Sequence, residues 1–125
     1  MNALTLAATI LITLALIFYS VGVWAEHIAR YLKGWHVAAF WTGLFFDMSG
    51  TLAMEFIHPG FDWANAHTIT GQFALWLMLA HALWATRVVR KGSAETRRTF
   101  HRFSLVVWGL WLVPYIGGMF LGMAG

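Results

Sequence analysis

Six histidines and one deeply placed aspartate are the residues of this sequence best suited to chemistry. Neutral imidazole nitrogens ligate haem iron, and a helix bundle in a membrane can supply two of them from different helices. His81 lies about 9 Å inside the segment end marked by Arg87, at 1.5 Å per helical residue. His101 falls in the first turn or so of the last apolar segment. The two agree in depth, so His81 and His101 are the first candidates for a bis-histidine haem b site or another metal. His36 is an alternative ligand, and His27 a weaker one because it ends its segment. His67 stands 14 residues before His81, on the same helical face and about 21 Å away along the axis. It is the candidate for a second ligand position, whereas His58 reads as a loop residue. Arg98 and Arg102, with Arg87, are placed to pair with haem propionates at the rim. The stripe His101, Ser104, Trp108, Trp111, Tyr115 and Gly118 suits a flat cofactor or a quinone ring, or packing against neighbouring helices.

Asp47 lies 11 residues beyond His36, hence about 16 Å deeper and near the bilayer centre. An intramembrane carboxyl needs a partner or must stay neutral. Gly43 and Gly50 flank it on one face and leave room for a second helix or a planar ligand. Tyr19, Ser20 and Gln72 are candidate partners. The functional reading of Asp47 is a proton or ion relay or a ligand contact; the structural one is a buried residue bonded to Tyr or Trp. Glu26 and Glu55 read as residues near opposite membrane faces.

Other chemistries are absent from the pattern. The chain has no cysteine, so a disulfide scaffold, a thiolate metal site and covalent c-type haem are excluded. No two histidines stand three or four residues apart, and there is no His-Glu-x-x-His. There is no Gly-rich phosphate loop.

The elements that must position these residues follow from composition. The chain has 125 residues, 60% hydrophobic and 10% charged, with a mean hydropathy of +0.68. A soluble domain has about 25% charged residues. Twelve Gly and eight Trp with only two Pro suit a lipid-embedded bundle. The expected fold is all-α: an up-down-up-down transmembrane four-helix bundle in a single domain over residues 1–125. Spans are expected at about residues 4–28, 36–57, 67–89 and 100–121. The first apolar run lacks a basic lead and is too long for a signal peptide, so it reads as a retained helix. Pro59-Gly60 breaks the chain after the second span. Ser93 or Thr96 is expected to cap a short amphipathic lead-in to the fourth.

All eight basic residues, Arg30, Lys33, Arg87, Arg90, Lys91, Arg97, Arg98 and Arg102, fall in or beside two of the connections. The positive-inside rule then makes both basic loops cytoplasmic and both termini extracytoplasmic. The net charge of +3 marks orientation and attraction to anionic lipid rather than nucleic-acid binding.

Several segments resemble the HsmA family of small bacterial four-span membrane proteins. They are Tyr19-Ser-Val-Gly-Val-Trp-Ala-Glu26, Phe46-Asp-Met-Ser-Gly-Thr51, His67-Thr-Ile-Thr-Gly71, His81-Ala-Leu-Trp-Ala85, Phe100-His-Arg-Phe-Ser104 and Trp111-Leu-Val-Pro-Tyr-Ile-Gly-Gly-Met119. The resemblance covers essentially the whole chain. It implies one four-helix domain in a bacterial inner membrane, supplies no activity or ligand, and points to Asp47, His67, His81 and His101 as the matching polar positions.

Three functions are expected from these residues. The first is a small b-type haem protein passing electrons between a quinol or membrane partner and the haem. The second is a proton- or ion-conducting homo-oligomer using Asp47. The third is a non-catalytic subunit of a larger membrane complex.

Overall fold

The computed structural model describes the backbone of residues 3–57 and 66–124, and side chains over 3–55 and 69–117. Four helices follow one another: α1 (Ala3–Ala29), α2 (Gly34–Ile57), α3 (Ala66–Lys91) and α4 (Ala94–Ala124). Each touches its neighbours in sequence, and α4 closes the ring against α1. The result is an all-α four-helix bundle with a core drawn from all four helices. By length and composition, Ala3–Ala29, Gly34–Glu55 and Ile69–Lys91 can each cross a membrane. The chain is therefore a small helical membrane protein. Among the described residues α4 does not qualify. It begins six residues before the span expected at 100, on the charged stretch Glu95-Thr-Arg-Arg98, and only its later part is continuously apolar.

Local chemistry explains where the helices stop. Arg30 leaves α1 in the left-handed region, at φ 53°, while its N–H still bonds the Glu26 carbonyl at 2.8 Å. α3 carries Arg90 and Lys91 in its last turn, where cations favour the negative end of the helix dipole. Gly92 follows, and a Cβ there would stand 2.6 Å from the Val88 carbonyl oxygen, so this position requires glycine. Ser93 Oγ then accepts the Thr96 N–H at 3.1 Å, which caps α4. Of the two capping candidates it is Ser93, and the lead-in is continuous with the helix.

The two basic turns are bonded to each other. The Leu32 N–H donates to the Arg97 carbonyl at 2.9 Å, and Arg97 Nε donates back to the Leu32 carbonyl at 2.9 Å. The Arg97 guanidinium also lies 4.4 Å from the centre of the Tyr31 ring.

Glycines set the approach of α1 to α2, the most extensive contact in the bundle. A Cβ at Gly43 would fall 2.5 Å from Tyr19 Cδ1, and one at Gly50 would fall 2.5 Å from Ile12 Cδ1. The space beside Asp47 is thus filled by a second helix and not by a planar ligand. Small residues at a helix contact let backbones approach where lipid supplies no hydrophobic drive.

Gly43→Ala should therefore destabilise the bundle by about 1–3 kcal/mol through overpacking, seen as a lower thermal midpoint in mild detergent. Gly109→Ala is the control, because its added methyl meets nothing within 4 Å. Equal midpoints for the two variants would contradict the close α1–α2 contact.

Candidate functional site

The deepest polar group is bonded from two other helices. Asp47 on α2 accepts the Tyr19 O–H of α1 at 3.0 Å and the Trp111 indole N–H of α4 at 2.9 Å, both at Oδ2. The three side chains are buried. The Tyr19 and Trp111 rings meet edge to face at 5.1 Å, and Tyr115 stacks on Trp111 at 5.5 Å. Two donors on one oxygen leave Oδ2 without a proton of its own. Of the expected partners Tyr19 is the one used. Ser20 instead accepts the Trp108 indole N–H at 3.0 Å, and Trp111 takes the second place beside Asp47.

A second polar group lies about two helical turns toward the basic end. Glu26 follows Tyr19 by seven residues on α1, and Ser104 precedes Trp111 by seven on α4, so each pair shares a face about 10 Å apart. Glu26 is 0% exposed. It stands in the last turn of α1, near the basic end, with its side chain turned into the bundle. Ser104 faces its carboxyl, yet neither carboxyl oxygen closes a hydrogen bond. Ser104 Oγ also lies 2.9 Å from His81 Nε2 on α3. His81 Nδ1 is buried and unpartnered as well. Three helices thus bring Glu26, Ser104 and His81 into one line with open hydrogen-bonding capacity. A buried polar atom left unpaired costs about 1–3 kcal/mol, so two oxygens and a ring nitrogen in one cluster require an explanation.

Beside this line, His27 and His101 face each other with Nδ1 atoms 2.9 Å apart. One imidazole donates and the other accepts. His101 is buried, and Arg30 and Arg102 lie close enough to act on it electrostatically. His27, the weaker ligand candidate at the end of its segment, is the partner of His101.

Between the two carboxyls the fully buried side chains are apolar. Val23, Phe40, Met78 and Val107, one from each helix, are all but completely buried. In sequence register each falls between the Asp47 level and the Glu26 level.

The residues do not fit a bis-histidine haem in this arrangement. His81 and His101 each have a different partner, Ser104 and His27. The Phe100 ring lies on His81 at 5.5 Å with only 18° between planes, and Phe40 and Phe103 close in at 4.5 and 5.8 Å. These rings occupy the space a macrocycle would need. His36 accepts the Lys33 N–H at Nδ1, 2.9 Å away. Its ring proton therefore sits on Nε2, which removes the lone pair an iron would use. His36 secures the start of α2. Arg98 and Arg102 are exposed on α4, and of the two it is Arg102 that lies close enough to His101 to act on it electrostatically. Trp108 packs edge to face on Trp24 at 5.4 Å rather than lining an open slot. Among the described residues, no three His, Asp or Glu side chains form a group able to hold a metal. The side chains of His58 and His67 lie outside the described residues.

Comparison with known proteins returned no matching family model, no matching curated protein and no matching solved structure. The site's own geometry therefore carries the functional reading.

Replacing Asp47 tests that geometry. Asp47→Leu strands the Tyr19 hydroxyl and the Trp111 N–H, each worth about 1–3 kcal/mol when buried and unpaired. Asp47→Asn keeps an acceptor oxygen. Detergent melts should show Leu costing clearly more than Asn. Tyr19→Phe and Trp111→Phe should combine non-additively in a double-mutant cycle. Equal costs for Leu and Asn would mean that Asp47 does not bind the two helices together.

Proposed function

We propose that this membrane protein moves protons, with Glu26, Ser104 and His81 as the relay and Asp47 as a second carboxyl deeper in the bundle. One observation supports this above the others. Glu26 is fully buried with both carboxyl oxygens unbonded, and it faces a serine already bonded to a histidine.

The Glu26 proton passes to Ser104 Oγ while the Ser104 proton passes to His81 Nε2. Glu26 is left as carboxylate and His81 as imidazolium, with Nδ1–H free to pass its proton on. A small movement that closes the Glu26–Ser104 bond is sufficient to begin. His27 and His101 stand at the basic end, which the charge distribution makes cytoplasmic, and supply the entry. The apolar layer of Val23, Phe40, Met78 and Val107 separates the relay from Asp47, so passage beyond it requires water to enter the layer. Electron transfer through haem has no comparable support in the side-chain arrangement.

The test is proton flux into vesicles holding the purified protein and a trapped pH-sensitive dye, driven by a potassium diffusion potential. Wild-type protein should acidify the interior well above the rate of empty vesicles. Glu26→Gln should fall to that background, Ser104→Ala should fall at least ten-fold, and Arg98→Gln should be unchanged. Flux that survives Glu26→Gln overturns the reading. So does a Soret band in the purified protein that disappears in His81→Ala.

A further inference from the structure

The seam between α2 and α3 is open to the outside at the basic end. A groove of about 320 Å³ lies there between Gly34, Val37, Ala38 and Trp41 of α2 and Thr86, Val89 and Arg90 of α3. The two helices touch far less than α1 and α2 do. A Cβ on Gly34 would meet nothing within 4 Å, so the groove's end is unobstructed. One bond spans the seam, from the Trp41 indole N–H to Thr86 Oγ1 at 2.8 Å. Thr86 Oγ1 donates in turn to the Ala82 carbonyl at 2.8 Å. Both polar groups of this wall are therefore already used, and what remains is apolar stems with a guanidinium above them. Arg90 is exposed and has no acidic partner among the described residues.

We infer that this groove seats one anionic phospholipid, its phosphate on Arg90 and the start of an acyl chain along Val37, Ala38 and Val89. The occupant follows from charge and shape together. A chain that crosses a membrane meets lipid at this seam, and the groove offers an apolar trough that ends in a single unpaired cation. Arginine pairs with phosphate through two parallel N–H donors. A basic pocket between helices on the positively charged side is a setting in which anionic headgroups are recognised. The surrounding basic residues, Lys33, Arg87 and Lys91, add a diffuse attraction for the same headgroup. The trough selects for a lipid, because a free phosphate ion would leave it empty.

Native mass spectrometry of the full chain in mild detergent tests this, with equal phosphatidylglycerol and phosphatidylcholine added. Wild-type protein should retain one phosphatidylglycerol with about five-fold preference, the factor expected for about 1 kcal/mol from one basic residue. Arg90→Gln should abolish the preference, and Arg98→Gln should leave it intact. Ala38→Phe, which fills the groove without changing charge, should lower retention of both lipids. Equal retention of the two lipids by the wild type overturns the proposal. Equal loss in Arg90→Gln and Arg98→Gln does so too, because it would show diffuse attraction and no site.

Discussion

A carboxyl placed near the middle of a bilayer has to be met by donors, and the bundle is arranged around that requirement. The donor on its own helix, the Thr51 hydroxyl, bonds the Asp47 backbone carbonyl and leaves the carboxyl oxygen Oδ2 to other helices. The carboxyl is served by the tyrosine of α1 and the tryptophan of α4, which converge on one of its oxygens. Three helices are thereby fixed in rotation and in height at one level. Gly43 exists to let this happen, since any side chain there would collide with the Tyr19 ring. Replacing Gly43 or removing the acid would disturb the same contact, one through shape and the other through hydrogen bonding.

The two buried carboxyls differ in a way that bears on function. Asp47 is saturated at Oδ2 and held by rigid aromatic donors, as expected of a group that organises packing. Glu26 is equally hidden, faced by Ser104 but with neither oxygen in a closed hydrogen bond. A folded protein tolerates such a cost where a group must change its bonding partner during its work. The layer of Val23, Phe40, Met78 and Val107 stands between them, and a charge crossing it would lose its solvation.

Much of the fold could be read from the chain. Apolar runs bounded by Pro59-Gly60, Gly92-Ser93 and the basic clusters indicate four helices, and the α2 glycines beside Asp47 announce a close neighbour. Helical phase also aligns His36 with Asp47 and sets His81 on the face of Ala74, Met78 and Ala85. What periodicity does not supply is the partner across the bundle. Glu26 lies beside His27 and Arg30 in sequence and so looks like a rim residue, but a rotation of about 100° per residue turns it inward. Trp111 is one of eight tryptophans, and nothing in its local sequence distinguishes it as the donor to Asp47. The depth match of His81 and His101 holds along the axis, yet depth says nothing of which ring each imidazole meets.

The reciprocal bonds between Leu32 and Arg97 have a mechanical consequence. They join the α1–α2 turn to the start of α4, and the Tyr31 ring beneath the Arg97 guanidinium stiffens the joint. At this end the α1–α2 turn and the start of α4 are held together as one unit. Displacement of α1 against α4 then grows with distance from this joint, as in tongs held at the pivot. Glu26, close to the fulcrum, feels small tilts that suffice to make or break a single hydrogen bond, while the same tilt shifts Asp47 and its aromatic donors over a longer arc.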